Sequence, residues 1–206
     1  MDINDLKEES DSRKEYNDML KGSQELAFGK IREFKDVCNE LEKIIVEEIA
    51  VKKLELITSF REYFESNDFE VSEGKRKYRA SYKETKVILE DINPEAYENE
   101  SVYSIRVPVR DVYSAITIKA TEKDEHKLYW KNPLKHDGTH IMFDNASDVI
   151  ISISDNSKLE KLVQKINENI DWYRETINNF DEIEFAYYIH ETDLKFDTFK
   201  ELFEAI

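Results

Sequence analysis

The sequence is poor in the residues that interrupt regular structure or cross-link a chain. Its 206 residues include only 4 glycines, 3 prolines and one cysteine, Cys38. Few glycines and prolines mean few enforced turns, which favours long helices and strands. A lone cysteine cannot form a disulfide within the chain, and its place in the apolar stripe of a predicted helix indicates a small packed side chain. This usage is typical of a reducing compartment, and we expect a cytoplasmic location.

Long apolar runs are also missing. No stretch approaches the roughly 18 apolar residues that a membrane-spanning helix needs. The acidic start, residues 1–5, lacks the apolar segment of a secretory signal. The sequence therefore predicts neither a membrane span nor a secretory signal.

Basic residues are outnumbered by acidic ones. There are 30 Lys and Arg against 46 Asp and Glu, which gives a net charge of −16. This charge repels bare nucleic acid and acidic membrane surfaces, so we expect neither direct nucleic-acid binding nor membrane binding. Such a surface serves solubility, or alternatively it meets a basic partner protein. Aromatic and β-branched residues are plentiful, which predicts a folded chain.

The strongest periodic signal is an amphipathic helix near the N-terminus. Apolar residues recur at spacings of three and four, apart from one gap of seven, and neither glycine nor proline occurs between Gly29 and Gly74. The pattern predicts a helix over residues 23–66, preceded by a polar segment, residues 1–22, that ends at an interruption, Gly22-Ser23. Because such a helix is longer than a compact domain of this size, we expect it to project from the body or to pair along its length with another helix, as in a coiled coil.

The apolar stripe of this helix widens in its middle. Between Ile44 and Leu54 few polar residues separate the apolar ones, so the helix is apolar on more than one face. A helix of this kind is contacted from more than one side. We expect one face in the chain's own core and another in a homodimer or a contact with a protein partner; the alternative is a core helix of a monomer. The predicted interface residues are Phe34, Leu41, Ile44, Ile45, Ile49, Leu56 and Phe60.

Residues 67–206 are predicted to form an acidic α+β body. The apolar period changes to two from Phe69 onward, and alternation of this kind predicts a mainly antiparallel sheet over about residues 67–155. The alternating sets lie at 103–109, 112–120 and 149–153, with weaker ones at 77–82 and 86–92. The expected turns are Glu73-Gly74 and Asp137-Gly138.

Helices are predicted to follow the sheet, over about residues 157–206. Ser157-x-x-Glu160 is a capping box that opens a helix ending near Asn178-Asn179, and Thr198-x-x-Glu201 opens a short terminal helix. Residues 183–191 fit a helix or a strand equally well. The predicted fold class is α+β: a long N-terminal amphipathic helix, a central mainly antiparallel sheet and C-terminal helices.

The densest set of metal-binding residue types is His136, Asp137, His140 and Asp144. Asp137-Gly138 predicts a two-residue hairpin, however, in which residue 136 pairs with residue 139 and residue 135 with residue 140. The two histidines then belong to opposite faces and cannot hold one metal ion. We predict no metal site, no cofactor and no catalytic residue, and an enzyme is the less favoured class.

One stretch is locally basic. Lys75, Arg76, Lys77 and Arg79 form a cluster that continues to Lys83 and Lys86 and is interleaved with tyrosines. Such a cluster suits contacts with phosphate or with a partner. The alternative is an exposed hairpin whose charges discourage edge pairing.

The leading hypothesis is a non-enzymatic protein–protein interaction module, an oligomerising inhibitor or adaptor. The usage of Ile, Asn, Lys, Glu and Tyr is typical of AT-rich bacterial or phage genes, which favours a phage or mobile-element protein that acts on a host defence protein. Two alternatives remain. One is an acidic mimic of nucleic acid that occupies a basic groove, and the other is an enzyme whose metal or carboxylate site joins distant residues.

Overall fold

The predicted α+β fold class is confirmed by the computed structural model. It describes residues 2–92, 100–121, 134–136, 139–141, 143–189, 192 and 194–206. A long N-terminal helix precedes an antiparallel sheet, and further helices follow it. By its internal packing the chain divides into two compact units: unit 1 contains residues 1–41 and 129–180, and unit 2 contains residues 42–128 and 181–206.

The N-terminal helix α1 spans Ile3–Glu65 and contributes residues to both units. It runs without a break through Gly22-Ser23, where the sequence predicted an interruption. A glycine inside a helix costs only about 1 kcal/mol relative to alanine, which the packing of a long helix can outweigh. The Ser23 hydroxyl donates a hydrogen bond to the Asn156 side chain and does not cap a new helix.

In the described part of unit 1, the helices besides α1 are α2, Ala146–Ser152, and α3, Asn156–Asn178. The buried ring of Phe34 lies 5.4 Å from the ring of Phe143 and 5.5 Å from that of Tyr173. Helix α3 ends where the sequence predicted, at Asn178-Asn179. Its N-cap is Asp155, whose carboxylate accepts a hydrogen bond from the backbone N–H of Ser157. The predicted cap, Ser157, therefore lies two residues after the observed one.

The strand predicted at residues 149–153 is wrong, because this segment forms α2. Ile150 is fully buried, whereas Ile151 is 64% exposed. The buried partner of Ile150 within α2 is Ala146, four residues earlier, which is the helical spacing. Gln24 supports this segment from α1, since its side-chain amide donates to the backbone carbonyls of Ile150 and Ile153.

The predicted hairpin near residue 138 has the predicted register. Strands β6, Leu134–His136, and β7, Thr139–Ile141, pair antiparallel, with Lys135 opposite His140 and His136 opposite Thr139. The turn dipeptide, residues 137–138, lies outside the described residues.

Unit 2 contains the main sheet. The described strands lie side by side, each antiparallel to its neighbour, in the order β1-β2-β3-β4-β5-β8-β9. Their bounds are β1 Glu70–Gly74, β2 Lys77–Tyr82, β3 Thr85–Asp91, β4 Glu100–Val107, β5 Val112–Thr121, β8 Glu184–Ile189 and β9 Lys195–Phe196. The undecided segment at residues 183–191 thus forms a strand through Ile189, and its last two residues lie outside the described part.

Of two local predictions in unit 2, the position of the first turn is wrong and the capping box of the terminal helix is confirmed. The turn between β1 and β2 is Lys75-Arg76 and not Glu73-Gly74, because Gly74 still pairs with Lys77. The terminal helix α4, Phe199–Ala205, begins with the predicted capping box: Thr198 and Glu201 each accept a hydrogen bond from the other's backbone N–H.

The core of unit 2 lies between one face of the sheet and the C-terminal third of α1. Leu56, Phe60 and Phe64 of α1 are buried against this face and against Phe199 and Leu202 of α4. The Phe60 ring lies 4.8 Å from that of Phe64 and 5.7 Å from that of Phe199. The sheet residues in this core are Ala80, Val87, Leu89, Tyr103, Ile105, Ile116, Ile118 and Tyr187.

None of the helices in the described part of the chain combines the length and the apolar character that crossing a membrane requires.

Candidate interaction surfaces

The predicted interface residues of α1 lie mostly inside the chain. Six of the seven are buried, with exposed fractions of 3% or less, and Ile44 is half-buried. The buried six are Phe34, Leu41, Ile45, Ile49, Leu56 and Phe60. A second molecule therefore has access to other side chains of the same helix.

Those accessible side chains form what we call the α1 outer face: Val46, Ala50, Val51 and Leu54. Val46 is 46% exposed, Val51 52% and Leu54 65%. Val46, Ala50 and Leu54 follow one another at intervals of four residues, and Val51 and Leu54 are three apart, so they are neighbours on the helix surface. The buried residues Ile45, Ile49 and Leu56 occupy the opposite side. The two-faced apolar character seen in the sequence is thus real, and only one of its faces is covered by the described chain.

A groove of about 450 Å³ lies beside this face, within unit 2. One wall is α1, and the other is formed by β8 and the residues that lead into α4. Tyr187 and Phe199, each 2% exposed, are its most buried members. The lining residues are Val51, Leu54, Glu55, Thr58, Ser59, Tyr187, Asp197, Thr198 and Phe199. Two exposed apolar side chains of the α1 outer face therefore continue directly into a concave surface.

The carboxylates at the rim of the groove are each paired with a lysine. The Glu55 carboxylate lies 2.8 Å from Lys52 Nζ, and Lys52 also lies over the Tyr187 ring, 5.6 Å from its centroid. Burial raises the pKa of the Tyr187 hydroxyl, and the nearby Glu55 carboxylate raises it further, so this residue stays neutral. Asp197 lies 3.5 Å from Lys195 Nζ. Burial acts to lower the pKa of Lys195, but Asp197 and Glu184 outweigh it and the pKa is raised.

Beyond the groove, one flank of the α1 outer face is acidic. Glu48, Glu55 and Glu62 are exposed and recur every seven residues, so they form a row along the helix that we call the acidic row. A seven-residue repeat stays on one side of a helix over several turns. An amphipathic helix that carries basic residues beside its apolar stripe would meet this row with opposite charge.

The predicted basic cluster is divided among three settings. Lys75 and Arg76 form the turn between β1 and β2, and Lys77 pairs with Glu90 across the strands at 3.3 Å. Arg79 lies on the sheet face opposite to the core, because its neighbour Ala80 is buried and successive residues of a strand alternate. Lys77 and Arg79 are two residues apart and share this outer face, next to the turn that carries Lys75 and Arg76, while the Lys77 charge is engaged by Glu90.

The same sheet face carries basic and aromatic residues from other strands, which the sequence analysis missed. Arg79, Ile88, Arg106 and Tyr113 lie directly opposite one another on β2, β3, β4 and β5. We call this line of residues the sheet row. The Arg106 guanidinium lies over the Tyr113 ring, 5.1 Å from its centroid. Register could have revealed the row, but register between strands that are distant in sequence is not visible in one sequence.

A metal site is not evident in the described residues, where no three His, Cys, Asp or Glu side chains come close enough to share an ion. Comparisons of the chain with models of protein families, with curated proteins and with solved structures found no match.

Proposed function

We propose that this chain is a non-enzymatic protein–protein interaction module, and that the α1 outer face and its groove bind a basic amphipathic helix of a partner protein. The observation that carries the proposal is the exposure of Val51 and Leu54 beside a concave surface, on a helix whose opposite side is already buried. Binding an apolar helix face in a groove is a common mode of peptide recognition. The proposed setting is the cytoplasm.

The choice of a basic partner rests on charge. The chain carries a net charge of −16, and the acidic row flanks the apolar residues directly. A second copy of this chain carries the same excess of carboxylates. In an antiparallel pair of these helices, the acidic row would also face its own copy. Charge complementarity therefore favours a basic helix over a second copy.

The small size of the α1 outer face limits the affinity that we expect for a partner helix. Fully burying a valine or leucine side chain is worth about 1.5–3 kcal/mol, and association itself costs several kcal/mol. A few such residues with a flanking row of charges support a transient complex. Occupying a partner's basic helix in this way is how an inhibitor or an adaptor acts.

The test uses a synthetic helix of leucine and lysine as the probe, labelled with fluorescein, and a leucine–glutamate helix of the same pattern as its control. Binding is followed by fluorescence anisotropy. We expect the basic helix to bind the protein and the acidic one not to bind. The double variant Val51→Ser/Leu54→Ser should weaken binding by roughly tenfold or more, because one exposed apolar side chain is worth about 1 kcal/mol or more at a contact.

The matched control variant is Leu26→Ser, which removes another exposed leucine of α1, 53% exposed, outside the outer face. It should leave the affinity unchanged. Equal loss in both variants, or equal binding of both peptides, would contradict the proposal. Light scattering distinguishes a partner helix from a second copy of this chain. A stable dimer at micromolar concentration that Val51→Ser/Leu54→Ser dissociates would assign this face to the second copy.

A further inference from the structure

We propose that the outer face of the main sheet is a binding site for single-stranded nucleic acid. Arg79, Lys86 and Arg106 would contact phosphates, and Tyr113 would stack on a base. This site is separate from the α1 outer face and does not depend on the proposed function.

Sheet pairing brings these residues together from four strands. Arg79 and Arg106 flank Ile88 in the sheet row, so their backbones are about 10 Å apart, two strand spacings. Lys86 precedes Ile88 by two residues and lies on the same face of β3. Three cations therefore surround Ile88 on this face: Arg79 and Arg106 on the two neighbouring strands, and Lys86 on the same strand.

These cations are available to a ligand. Arg79, Lys86 and Arg106 are exposed, and within the described part of the chain none of them forms an ion pair. Two carboxylates of β1 and β3 share this face: Glu90 is paired with Lys77, and Glu70 of β1 is aligned with Lys86 through Ser81. The exposed surface ends farther along β4 and β5, because Ser104 and Thr117, which lie on the same face as Arg106 and Tyr113, are buried.

The overall charge of −16 opposes nucleic-acid binding, and for this reason the composition predicts none. That charge is spread over the chain, however, and salt screens charges more than about 8 Å apart under physiological conditions. Within the sheet row itself the charged residues are Arg79 and Arg106, and Lys86 lies two residues from Ile88 on the same face. Their position on one sheet face is the information that the composition could not provide.

The aromatic side chain decides between two kinds of anionic ligand. Tyr113 is 55% exposed and already has a guanidinium over its ring. An acidic protein segment would use the cations alone, whereas a single strand of nucleic acid presents phosphates to the cations and base faces to the ring. A duplex hides its base faces, which favours a single strand. The sheet row combines both elements and therefore fits a single strand.

The test is fluorescence anisotropy with a labelled oligothymidylate of about twelve nucleotides, a length within the site size of single-strand binders. Three phosphate contacts predict a slope of log affinity against log salt near −2. Affinity should therefore fall roughly 20-fold between about 50 and 200 mM salt. The double variant Arg79→Ser/Arg106→Ser should reduce the slope to about −0.7, that of one remaining contact.

The matched control is Lys14→Ser/Lys161→Ser, which changes the net charge by the same amount at two exposed helix positions of unit 1. It should keep the wild-type slope. Tyr113→Ala should weaken binding roughly tenfold, and Tyr113→Phe, which retains the ring, should restore it. Circular dichroism confirms that each variant is folded.

Three results would overturn the inference. The first is no binding of the oligonucleotide by the wild type at low salt. The second is an equal loss in the control and in the arginine variant, which would make the effect one of net charge. The third is a polyglutamate peptide that displaces the oligonucleotide and binds Tyr113→Ala as tightly as the wild type, which would assign the surface to an acidic protein segment.

Discussion

Replacing Phe60 by alanine is expected to lower the free energy of unfolding of unit 2 by about 3–5 kcal/mol. The Phe60 ring of α1 is fully buried against the sheet and α4, and it makes tilted or edge contacts with Phe64 and Phe199. Its removal leaves a cavity in a core where the neighbouring aromatic rings cannot easily collapse. Such a loss is a large share of the 5–15 kcal/mol by which most domains are stable.

The measurement is urea unfolding followed by far-UV circular dichroism. With a slope near 2 kcal/mol per M, the midpoint should fall by roughly 2 M. Tryptophan fluorescence recorded on the same samples reports unit 1 separately, because the residue ranges of unit 2 contain no tryptophan. Two probes are needed, since two compact units do not have to unfold as one.

Leu54→Ala is the matched control on the same helix. Leu54 is 65% exposed, so the change should stay within about 0.5 kcal/mol of the wild type. A Phe60→Ala midpoint close to that of Leu54→Ala would show that Phe60 does not lie in the core of unit 2. The comparison also separates the two apolar faces of α1, one of which stabilises the fold while the other is available for binding.

Long-range periodicity is what made most of the fold predictable. The stripe of α1 residues at spacings of three and four identified a helix, and the residues it selected, such as Leu56 and Phe60, are buried. Alternation identified β4 and β5 because each has one face in the core. The hairpin register that places Lys135 opposite His140 followed from turn chemistry alone.

Several failures share a physical cause, since they depend on contacts between residues distant in sequence. Gly22 was expected to end a helix, but tertiary packing decides whether the local cost of a glycine matters. The same periodicity that identified Ile45 and Ile49 as important could not say whether their partner is the chain itself or a second molecule, and the structure buries both within the chain. Arg79 and Arg106 are aligned on either side of Ile88, although they belong to β2 and β4, which are distant in sequence.

The segment around residue 150 shows most clearly how a short apolar pattern misleads. Val149, Ile151 and Ile153 alternate and indicated a strand, which would bury Ile151. In the structure the segment is α2, Ile150 is fully buried and Ile151 is 64% exposed. Alternation over five residues is compatible with either period, so the local pattern could not decide between helix and strand.

The two assignments predict opposite orders of stability, and this makes a decisive experiment. Ile150→Ala should lower the free energy of unfolding of unit 1 by about 2–5 kcal/mol, because it removes a buried branched side chain. Ile151→Ala should change it by less than about 0.5 kcal/mol, because that side chain is mostly in solvent. Urea unfolding followed by tryptophan fluorescence, to which Trp172 of α3 contributes, measures both variants.

A strand at residues 149–153 would reverse the order of stability, with Ile151→Ala the more destabilising change. Ile153→Ala cannot discriminate between helix and strand, because Ile153 is buried in the structure and would be buried in the strand as well. Only the adjacent residues Ile150 and Ile151 exchange their burial between the two assignments.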